Sequence, residues 1–329
     1  MHKKLADISL KTGESMGICL VRTPDEAYRD QILSFLGHKE GMWRWNLELS
    51  FEGKLDELET RFYLGTINDR IIGNVSTWEH DSLGVLGHVF TAEDQRRKGV
   101  FKALLALCIQ DFQQRGGKTM ILGTPADAPW NRIYKSVGFG SIVSTRNLQK
   151  DEVMRYDVDP DFERKYFQPG QVHTREPKWG DWPAISMLYS VQGGWFVRSI
   201  KHRIFGAFDY EDGFLDDMKK ILQRKCQARV LLTEAESIVG HATLTPHNRW
   251  DCQVWVLDFF LHPLFESHAV SLLGTMCWPK EKVQCYVEAD SHQKISALST
   301  QEFYKKTVLS KQIMHKGKAV DILIMERSL

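Results

Sequence analysis

Gln95-Arg96-Arg97-Lys98-Gly99-Val100-Phe101-Lys102 is the stretch on which the reading of this chain turns. Before it stands a short apolar run, Val85-Leu86-Gly87-His88-Val89-Phe90-Thr91, which reads as a strand. After it, Phe101, Leu104, Leu105, Cys108, Ile109 and Phe112 recur at the i, i+3, i+4, i+7 spacing of one buried helix face. Gly116-Gly117 then ends that helix. A strand that enters a basic, glycine-containing turn and leaves as a helix is a device for holding phosphate. The first N–H groups of the helix have no partner inside it and carry the positive end of its dipole. Arg96, Arg97 and Lys98 add attraction for a polyanion. In isolation the turn also reads as a solvated basic loop capping a surface helix. It matches neither G-x-G-x-x-G nor G-x-x-x-x-G-K-S/T.

The segments beyond the turn narrow its meaning. Thr119-Met120-Ile121-Leu122-Gly123-Thr124 is a second strand, and Asn131-Arg132-Ile133-Tyr134-Lys135-Ser136-Val137-Gly138-Phe139 is a short helix closing on a Gly-Phe pair. Strand, R-x-x-G-x, helix, strand, then N-x-x-Y-K-x-x-G-F resembles the GNAT superfamily of acyl-CoA N-acyltransferases, over residues 18 to about 157. The resemblance implies that Arg96, Arg97, Lys98, Gly99, Val100 and Phe101 wrap the pyrophosphate of coenzyme A with backbone amides, Lys102 adding charge. Gly99 would keep a side chain out from between backbone and phosphate. Phe101 departs from the family pattern, which asks there for a small residue. Phe90 and Thr91 would bond the pantetheine arm as an added strand and polarise the thioester carbonyl. Tyr134 would protonate the departing thiolate, which suits a group whose pKa of roughly 10 lies near that of a thiol. Asn131, one turn earlier, would bond the cofactor arm.

The general base is not fixed by the sequence. An amine acceptor arrives as ammonium near pH 7 and must lose a proton before it attacks. Glu79, His80 and Asp81 fall in a loop between two predicted strands, and His88 lies on the strand leading to Phe90. His88 has a suitable unperturbed pKa, but a histidine in an apolar strand also reads as a satisfied structural residue. A water relay to a more distant carboxylate is the remaining alternative.

Length and charge bound the rest. The chain has 329 residues, enough for two domains, and 43 Lys plus Arg against 42 Asp plus Glu, a net +1 that argues against a nucleic-acid surface. Cys19, Cys108, Cys226, Cys252, Cys277 and Cys285 form no C-x-x-C pair and no metal spacing, so the expectation is buried thiols in a reducing cytoplasm and no metal. The start has no apolar signal region and no run approaches the ~18 apolar residues of a membrane span.

Along the first half, Ile18–Arg22 reads as a strand. Thr23-Pro24-Asp25-Glu26 reads as a capping box with proline at the first helical position, ahead of a helix with Ala27, Ile32, Phe35 and Leu36 on its core face. Residues 40–60, rich in Met42, Trp43, Trp45 and Phe51, read as irregular. Residues 61–66 turn at Asn68-Asp69 into 71–76 as a hairpin, and 141–144 with 153–156 complete the sheet. Residues 158–171 read as a linker. The second half repeats the order. Residues 172–175 form a strand, and a helix begins at Asp181-Trp182-Pro183 and buries Ile185, Leu188 and Tyr189. A hairpin runs from 230–233 into 238–243, with the central strand at 254–261. Gly73 and Gly240 stand 167 residues apart, and Phe303-Tyr304-Lys305-Lys306 stands about 170 after the Tyr134 region. That steady offset points to duplication. In place of the basic turn the second copy has His262-Pro263-Leu264-Phe265-Glu266-Ser267-His268, with a carboxylate where phosphate would lie; Tyr304 then reads as packing and His262 and His268 as loop residues.

The expected architecture is α/β (α+β), two tandem GNAT-like domains each built on a mixed, mostly antiparallel sheet flanked by helices. They are a catalytic domain over 1–157, a linker over 158–171 and a degenerate domain over 172–329. The resemblance implies acetyl transfer from acetyl-CoA to a primary amine of a small molecule or peptide. The alternative is a non-catalytic acyl-CoA sensor or scaffold, which has no need of Tyr134. The aromatic segment Gly193-Gly194-Trp195-Phe196-Val197, with Phe205, Phe208 and Tyr210, reads either as the lining of a cleft or as core.

Overall fold

Two sheets carry the chain in the computed structural model, which describes residues 1–144, 151–248, 250, 253–315 and 317–328. They fall in two units. The first holds Met1–Ser144, Asp151–Phe162 and Lys178–Pro183; the second holds Glu163–Pro177 and Ala184–Leu329.

In the first unit the elements are β1 (His2–Ser9), β2 (Ser15–Arg22), α1 (Glu26–Phe35), α2 (Gly41–Phe51), β3 (Glu59–Ile67), β4 (Arg70–His80) and β5 (Leu83–Thr91). They continue with α3 (Val100–Gln114), β6 (Thr119–Pro125), α4 (Asn131–Ser136), β7 (Gly140–Ser144) and β8 (Asp151–Asp157). The sheet order is β1-β2-β3-β4-β5-β6-β8-β7. Asn68 and Asp69 take φ of 50° and 61°, the two left-handed residues that a tight hairpin turn matched to strand twist requires. They fix the β3–β4 register. Every pair is antiparallel except β5–β6, because α3 carries the chain back across the sheet between them. Helix α3 buries Leu104, Leu105, Cys108, Ile109 and Phe112 as its periodicity predicts, but Val100 is buried at its start where the reading placed Phe101, which is only half-buried. The helix lies so close to β4 that a Cβ on Gly73 would stand 2.5 Å from Val100 Cγ1 and 3.0 Å from Leu104 Cδ1. The N–H groups of Gly116 and Gly117 close its end on Gln113 and Phe112, with Gly116 at φ 83°.

The structure corrects the expectation for residues 23–51 in three respects. Residues 41–51 are a helix and not irregular: Leu47 and Phe51 are buried one turn apart, and Arg44 Nε binds Glu48 Oε1 at 2.7 Å across the adjacent turn. The cap of α1 is Asp25, whose carboxylate accepts from the Ala27 N–H at 3.1 Å; Thr23 and Pro24 precede the helix. Its core face is Ile32, Leu33 and Leu36, while Ala27 is exposed.

The second unit contains α5 (Phe162–Tyr166, whose first residue belongs to the first unit), β9 (Val172–Arg175), α6 (Trp182–Ser190, whose first two residues belong to the first unit), β10 (Val197–Ser199), β11 (Ile204–Phe205), α7 (Glu211–Leu222) and β12 (Gln227–Thr233). After these come β13 (Ile238–Pro246), β14 (Val254–Leu261), α8 (Ala269–Leu273), β15 (Lys282–Glu288), α9 (His292–Ser299), β16 (Tyr304–His315) and β17 (Lys318–Arg327). Its main sheet, read from β9, runs β9-β12-β13-β14-β15-β17-β16. This is the order β2-β3-β4-β5-β6-β8-β7 over again, and β14–β15 is again the parallel pair. A Cβ on Gly240 would stand 3.0 Å from Leu261 Cγ and 3.1 Å from Leu231 Cβ of the neighbouring strands and at an ordinary 3.4 Å from Leu272 of α8, so the sheet crowds it more than the helix does. Tyr304 opens strand β16 and is 45% exposed, so it is not a packing residue on the counterpart of α4; α9 holds that place in the order. The stretch 158–171 includes α5, with Phe162 and Phe167 buried. Cys108, Cys226 and Cys285 are buried thiols and Cys277 is exposed, with no disulfide among the described residues; Cys252 lies outside them. No described helix is long and apolar enough to cross a membrane.

Candidate active site

The turn between β5 and α3 owes its shape to two left-handed residues. After a 3-10 turn at Glu93–Gln95, Arg97 takes φ 65° and Gly99 φ 96°. Left-handed residues in such a turn swing successive N–H groups toward one concave side, a nest for an anion. The backbone N–H groups of Arg97 through Lys102 find no acceptor among the described residues, and the first helical bond runs from Ala103 to the Gly99 carbonyl at 3.1 Å. The role of Gly99 is conformational. A Cβ there would meet only the Lys11 side chain at an ordinary 3.7 Å, but would sit at a φ that side chains resist.

The basic side chains are not equivalent. Lys98 Nζ is bound to Glu14 at 2.9 Å, which holds the Glu14 carboxyl below its usual range. Arg96 donates to the Thr91 carbonyl at 3.3 Å and faces Glu93 at 3.5 Å. Arg97 and Lys102 are exposed and have no carboxylate partner among the described residues. The cations left for a ligand are therefore Arg97 and Lys102.

Beside the turn the sheet opens. Asn74 pairs with Phe90 but Ser76 pairs with Gly87, so His88 and Val89 together oppose Val75. This is a β-bulge. His88 sits at its kink with φ 47°, and Asn74 Nδ2 clamps it by donating to the His88 carbonyl and to Ser76 Oγ, each at 2.8 Å. Strand β5 pairs with β6 only over Leu83–Val85. Beyond the bulge β5 stays with β4 and β6 with β8, and a cleft is left between two strand edges. Phe90 and Thr91 line its β5 side, and the basic turn comes directly after them. The Phe90 ring rests on Phe35 at 5.2 Å and on His38 at 4.3 Å.

Tyr134 reaches the same region from α4, which comes after β6. Its ring is buried and meets Phe101 edge-on at 5.3 Å and Phe139 at 5.9 Å. Phe101, the residue that departs from the family pattern, thus packs the start of α3 against Tyr134. The Asn131 side chain is committed within the protein: Nδ2 donates to Glu152 Oε2 at 2.8 Å and Pro125 O at 2.9 Å, and Oδ1 accepts from Thr124 Oγ1 at 3.0 Å. Those bonds fix how α4 leaves β6, so Asn131 is a positioning residue for Tyr134.

Among the base candidates, Glu79 and His80 lie on β4 and not in a loop; only Asp81 falls in the turn. Glu79 is buried, bound by Arg115 at 2.6 and 3.0 Å, by Thr77 Oγ1 at 2.6 Å and faced by Arg61 at 3.6 Å. A carboxylate so held has no lone pair ready for an ammonium proton. His80 stands between Asp81 at 3.3 Å and Glu57 at 3.7 Å. His88 is buried between Trp43 at 5.0 Å and Trp78 at 4.8 Å, and its Nε2 has no hydrogen-bond partner among the described residues. Burial pushes its pKa well down, with Lys39 and His38 adding to the effect. Trp182 completes this aromatic group at 5.1 Å from Trp78 and 5.9 Å from Trp43. The sequence reading missed the group; the recurrence of Trp43, Leu47 and Phe51 every four residues was the available sign of the helix that brings Trp43 in.

A neutral buried histidine makes stability pH-dependent in a definite direction. The unfolded chain takes up a proton at His88 near pH 6.5 and the folded one does not, so stability is lost as pH falls below that value. Replacing His88 by Gln is expected to remove up to one proton, about 1.4 kcal/mol per pH unit, from that dependence. Urea unfolding of both proteins between pH 7.5 and 5 checks this; parallel curves would show that His88 is charged in the fold.

A strand, a left-handed basic turn with unclaimed N–H groups, a helix and a bulged, opened parallel pair occupy one contiguous part of the first unit, and a family model for the acetyltransferase (GNAT) family matches residues 25–139. The first unit carries a GNAT acetyltransferase domain. No curated protein matches the chain. Among solved structures, a putative acetyltransferase (yncA) from Salmonella typhimurium with its cofactor acetyl-CoA is 15% identical, over 48% of this chain and 93% of its own, with a TM-score of 0.40. A phosphinothricin acetyltransferase from Sinorhizobium meliloti, in complex with AcCoA, is 15% identical over 48% and 88%, with a TM-score of 0.41. A ribosomal-protein-alanine N-acetyltransferase from Brucella melitensis is 16% identical over 48% and 99%, with a TM-score of 0.39. The family model spans from the cap of α1 to Phe139 and so takes in the basic turn, the bulge, Asn131 and Tyr134.

Where β14 and β15 stop pairing, after Leu257 and Cys285, the second unit differs from the GNAT domain. Its own segment 195–201 is bound to both strands there. Phe196 and Val197 donate their N–H groups to the Glu288 carboxylate, the latter at 2.9 Å, and Lys294 Nζ donates to the Val197 carbonyl at 2.5 Å. Ser199 Oγ, Ile200 N and Lys201 N donate to Asp258 at 2.8, 2.8 and 3.0 Å. Arg198, 1% exposed, donates to the carbonyls of Tyr189, Val191, Gly193 and Trp195. Of the aromatic segment that the sequence left open as lining or core, Trp195, Val197, Phe208 and Tyr210 are core, while Phe196 and Phe205 are half-buried and pack on each other at 5.8 Å.

Proposed function

We propose that the chain is an N-acetyltransferase that takes acetyl-CoA as co-substrate and a primary amine of a small molecule or peptide as acceptor. The observation that carries this reading is the pairing of an unclaimed row of N–H groups, Arg97 through Lys102, with the open edge of β5 at Phe90 and Thr91. A pyrophosphate needs the first and a pantetheine arm, which is an extended amide chain, needs the second. Direct transfer is the consequence. The neutral amine nitrogen attacks the thioester carbonyl carbon, an N–H group at the open β5 edge meets the developing oxyanion, the C–S bond breaks and Tyr134 gives its proton to the thiolate; the nitrogen sheds its second proton to solvent as the amide forms, and solvent reprotonates Tyr134. The proton shed by the acceptor ammonium passes to His88 or to water. Because burial keeps His88 neutral, it is in its proton-accepting form throughout the neutral range, but it holds a proton weakly and would hand it on to solvent. The five described thiols suit a cytoplasmic enzyme.

The sensor alternative needs binding without turnover. Release of free thiol from acetyl-CoA over a panel of amines separates the two: turnover with any of them supports the enzyme, and saturable coenzyme A binding with none turned over supports the sensor.

The second unit, in this reading, is a degenerate copy that keeps the fold and no longer binds coenzyme A. We infer that its strand opening is filled by its own segment 195–201, and Glu266 stands on the turn where a phosphate would have to lie. Calorimetry of coenzyme A with the full chain is expected to give one site. A stoichiometry of two would end the claim of degeneracy.

A further inference from the structure

The second unit has a cavity of its own, of about 580 Å³, within the range of small-molecule sites. Its apolar wall is Val256 of β14 and Tyr286 of β15, with the exposed indole of Trp250 at the rim. Facing it are the turn Ile200–Arg203 and the Asp216–Lys220 stretch of α7.

Among the described residues the charges that the Ile200–Arg203 turn and the Asp216–Lys220 stretch bring to the cavity do not cancel. Lys201 Nζ is bound to Asp217 at 2.5 Å and Asp216 at 2.9 Å, and Lys220 Nζ to Asp216 at 2.7 Å. Asp217, buried, also takes His202 Nε2 at 3.2 Å and the Tyr210 hydroxyl at 2.6 Å. His202, Asp216 and Asp217 cluster as metal ligands do, with their ligand atoms within 4.8 Å of one another. The Lys201 ammonium already meets that negative charge, so the cluster is a closed ion network. Three cations (Lys201, Lys220, Arg203) less two carboxylates (Asp216, Asp217) leave one positive charge. That charge is Arg203, which has no acceptor for its guanidinium among the described residues.

Arg203 is also presented rigidly. It sits at φ 58° with its N–H on the Ile200 carbonyl. The turn before it is pinned from below: Asp258, buried, accepts from Ile200 N and Lys201 N, and Ser199 Oγ accepts from His202 N at 3.1 Å while donating to Asp258. A non-glycine residue in the left-handed region on a turn held this firmly marks a position fixed by its surroundings. The free fork of an arginine at such a position matches one planar or tetrahedral oxyanion.

We propose that this cavity binds a small molecule bearing one carboxylate or phosphate group on a flat apolar body, with the anion on Arg203 and the body between Tyr286, Val256 and Trp250. This is a second ligand site, separate in chemistry from the basic turn of the GNAT domain. Phenyl phosphate, benzoate and inorganic phosphate, titrated into the full chain by calorimetry, test it. Saturable binding of phenyl phosphate or benzoate at one site per chain is expected, and the tighter of the two names the anionic group. Arg203→Gln, at an exposed residue outside the core, should weaken that binding at least ten-fold, with Tm measured to confirm folding, while Arg97→Glu leaves it unchanged. The proposal is overturned if neither aryl anion saturates, or if Arg203→Gln binds as the unaltered chain does. Loss in Arg97→Glu instead would place the anion in the basic turn and overturn it as well. Inorganic phosphate binding as tightly as phenyl phosphate would refute the role of the apolar wall.

Discussion

Tyr134→Phe is expected to lower kcat by roughly 10²–10⁴-fold, the usual worth of a general acid, with coenzyme A affinity nearly unchanged. The ring stays, and with it the edge contacts to Phe101 and Phe139 that pack α4 against the start of α3. Only the hydroxyl is lost, so a fall in activity reports proton transfer and not collapse of the cleft. Two further readouts separate that role from a structural one. Thiol release should become limiting in the variant, and the loss should shrink for acyl donors whose leaving thiol is more acidic, since a better leaving group has less need of a proton. Asn131→Ala gives the contrast. Asn131 reaches no cleft group; it ties α4 to Pro125 and Glu152, so its loss should cost stability and blur the position of Tyr134. Unchanged turnover in Tyr134→Phe would assign the proton to water or to another group.

Elements whose burial follows one period were legible from the residues alone. Helix α3 shows five of its six buried positions in the sequence, Val100 standing in the core where the spacing points to Phe101, and the β3–β4 hairpin is announced by Asn68-Asp69. The duplication is visible because Gly73 and Gly240 stand at matching strand positions where a side chain would be crowded, Gly73 by Val100 and Leu104 of α3 and Gly240 chiefly by Leu261 and Leu231 of its own sheet. The features hidden from the sequence depend on partners distant in the chain. Residues 41–51 carry so many aromatics that their four-residue spacing is hidden, and Trp43 finds its place only when Trp182, far along the sequence, packs on it at 5.9 Å. The bulge at His88 leaves no pattern, because one extra residue in a strand shifts the faces without altering composition. Glu79 read as a loop residue and a candidate base since nothing local announces Arg115 or Arg61. Pairing also decided which basic residues of the turn are available. The run Arg96-Arg97-Lys98 looks uniform in sequence, but the chain folds Glu14 onto Lys98 and Glu93 onto Arg96.

That inequality yields the second large effect. Exchanging Arg97 and Lys102 together for Glu is expected to weaken coenzyme A binding at least roughly 100-fold. A hydrogen bond to a charged group is worth about 1.5–3 kcal/mol, and two at the lower figure, at 1.36 kcal/mol per decade, give about two decades before repulsion is added. Both side chains are exposed and without an ion partner among the described residues, so their exchange leaves packing intact and Tm should move little. Arg96→Gln with Lys98→Gln is the matched control. Those cations are already held by Glu93, the Thr91 carbonyl and Glu14, and their removal should weaken binding about ten-fold or less, nearer to what an exposed ion pair contributes. Salt sharpens the comparison. Exposed charges are screened over about 8 Å at physiological ionic strength, so affinity of the unaltered chain should fall with added salt and that of the Arg97, Lys102 variant should fall less. Equal affinity in the two double variants would mean that the backbone nest alone holds the ligand. Full affinity in the charge-reversed one would remove the phosphates from this turn, and with them the ground for reading the β5 edge as the seat of the pantetheine arm.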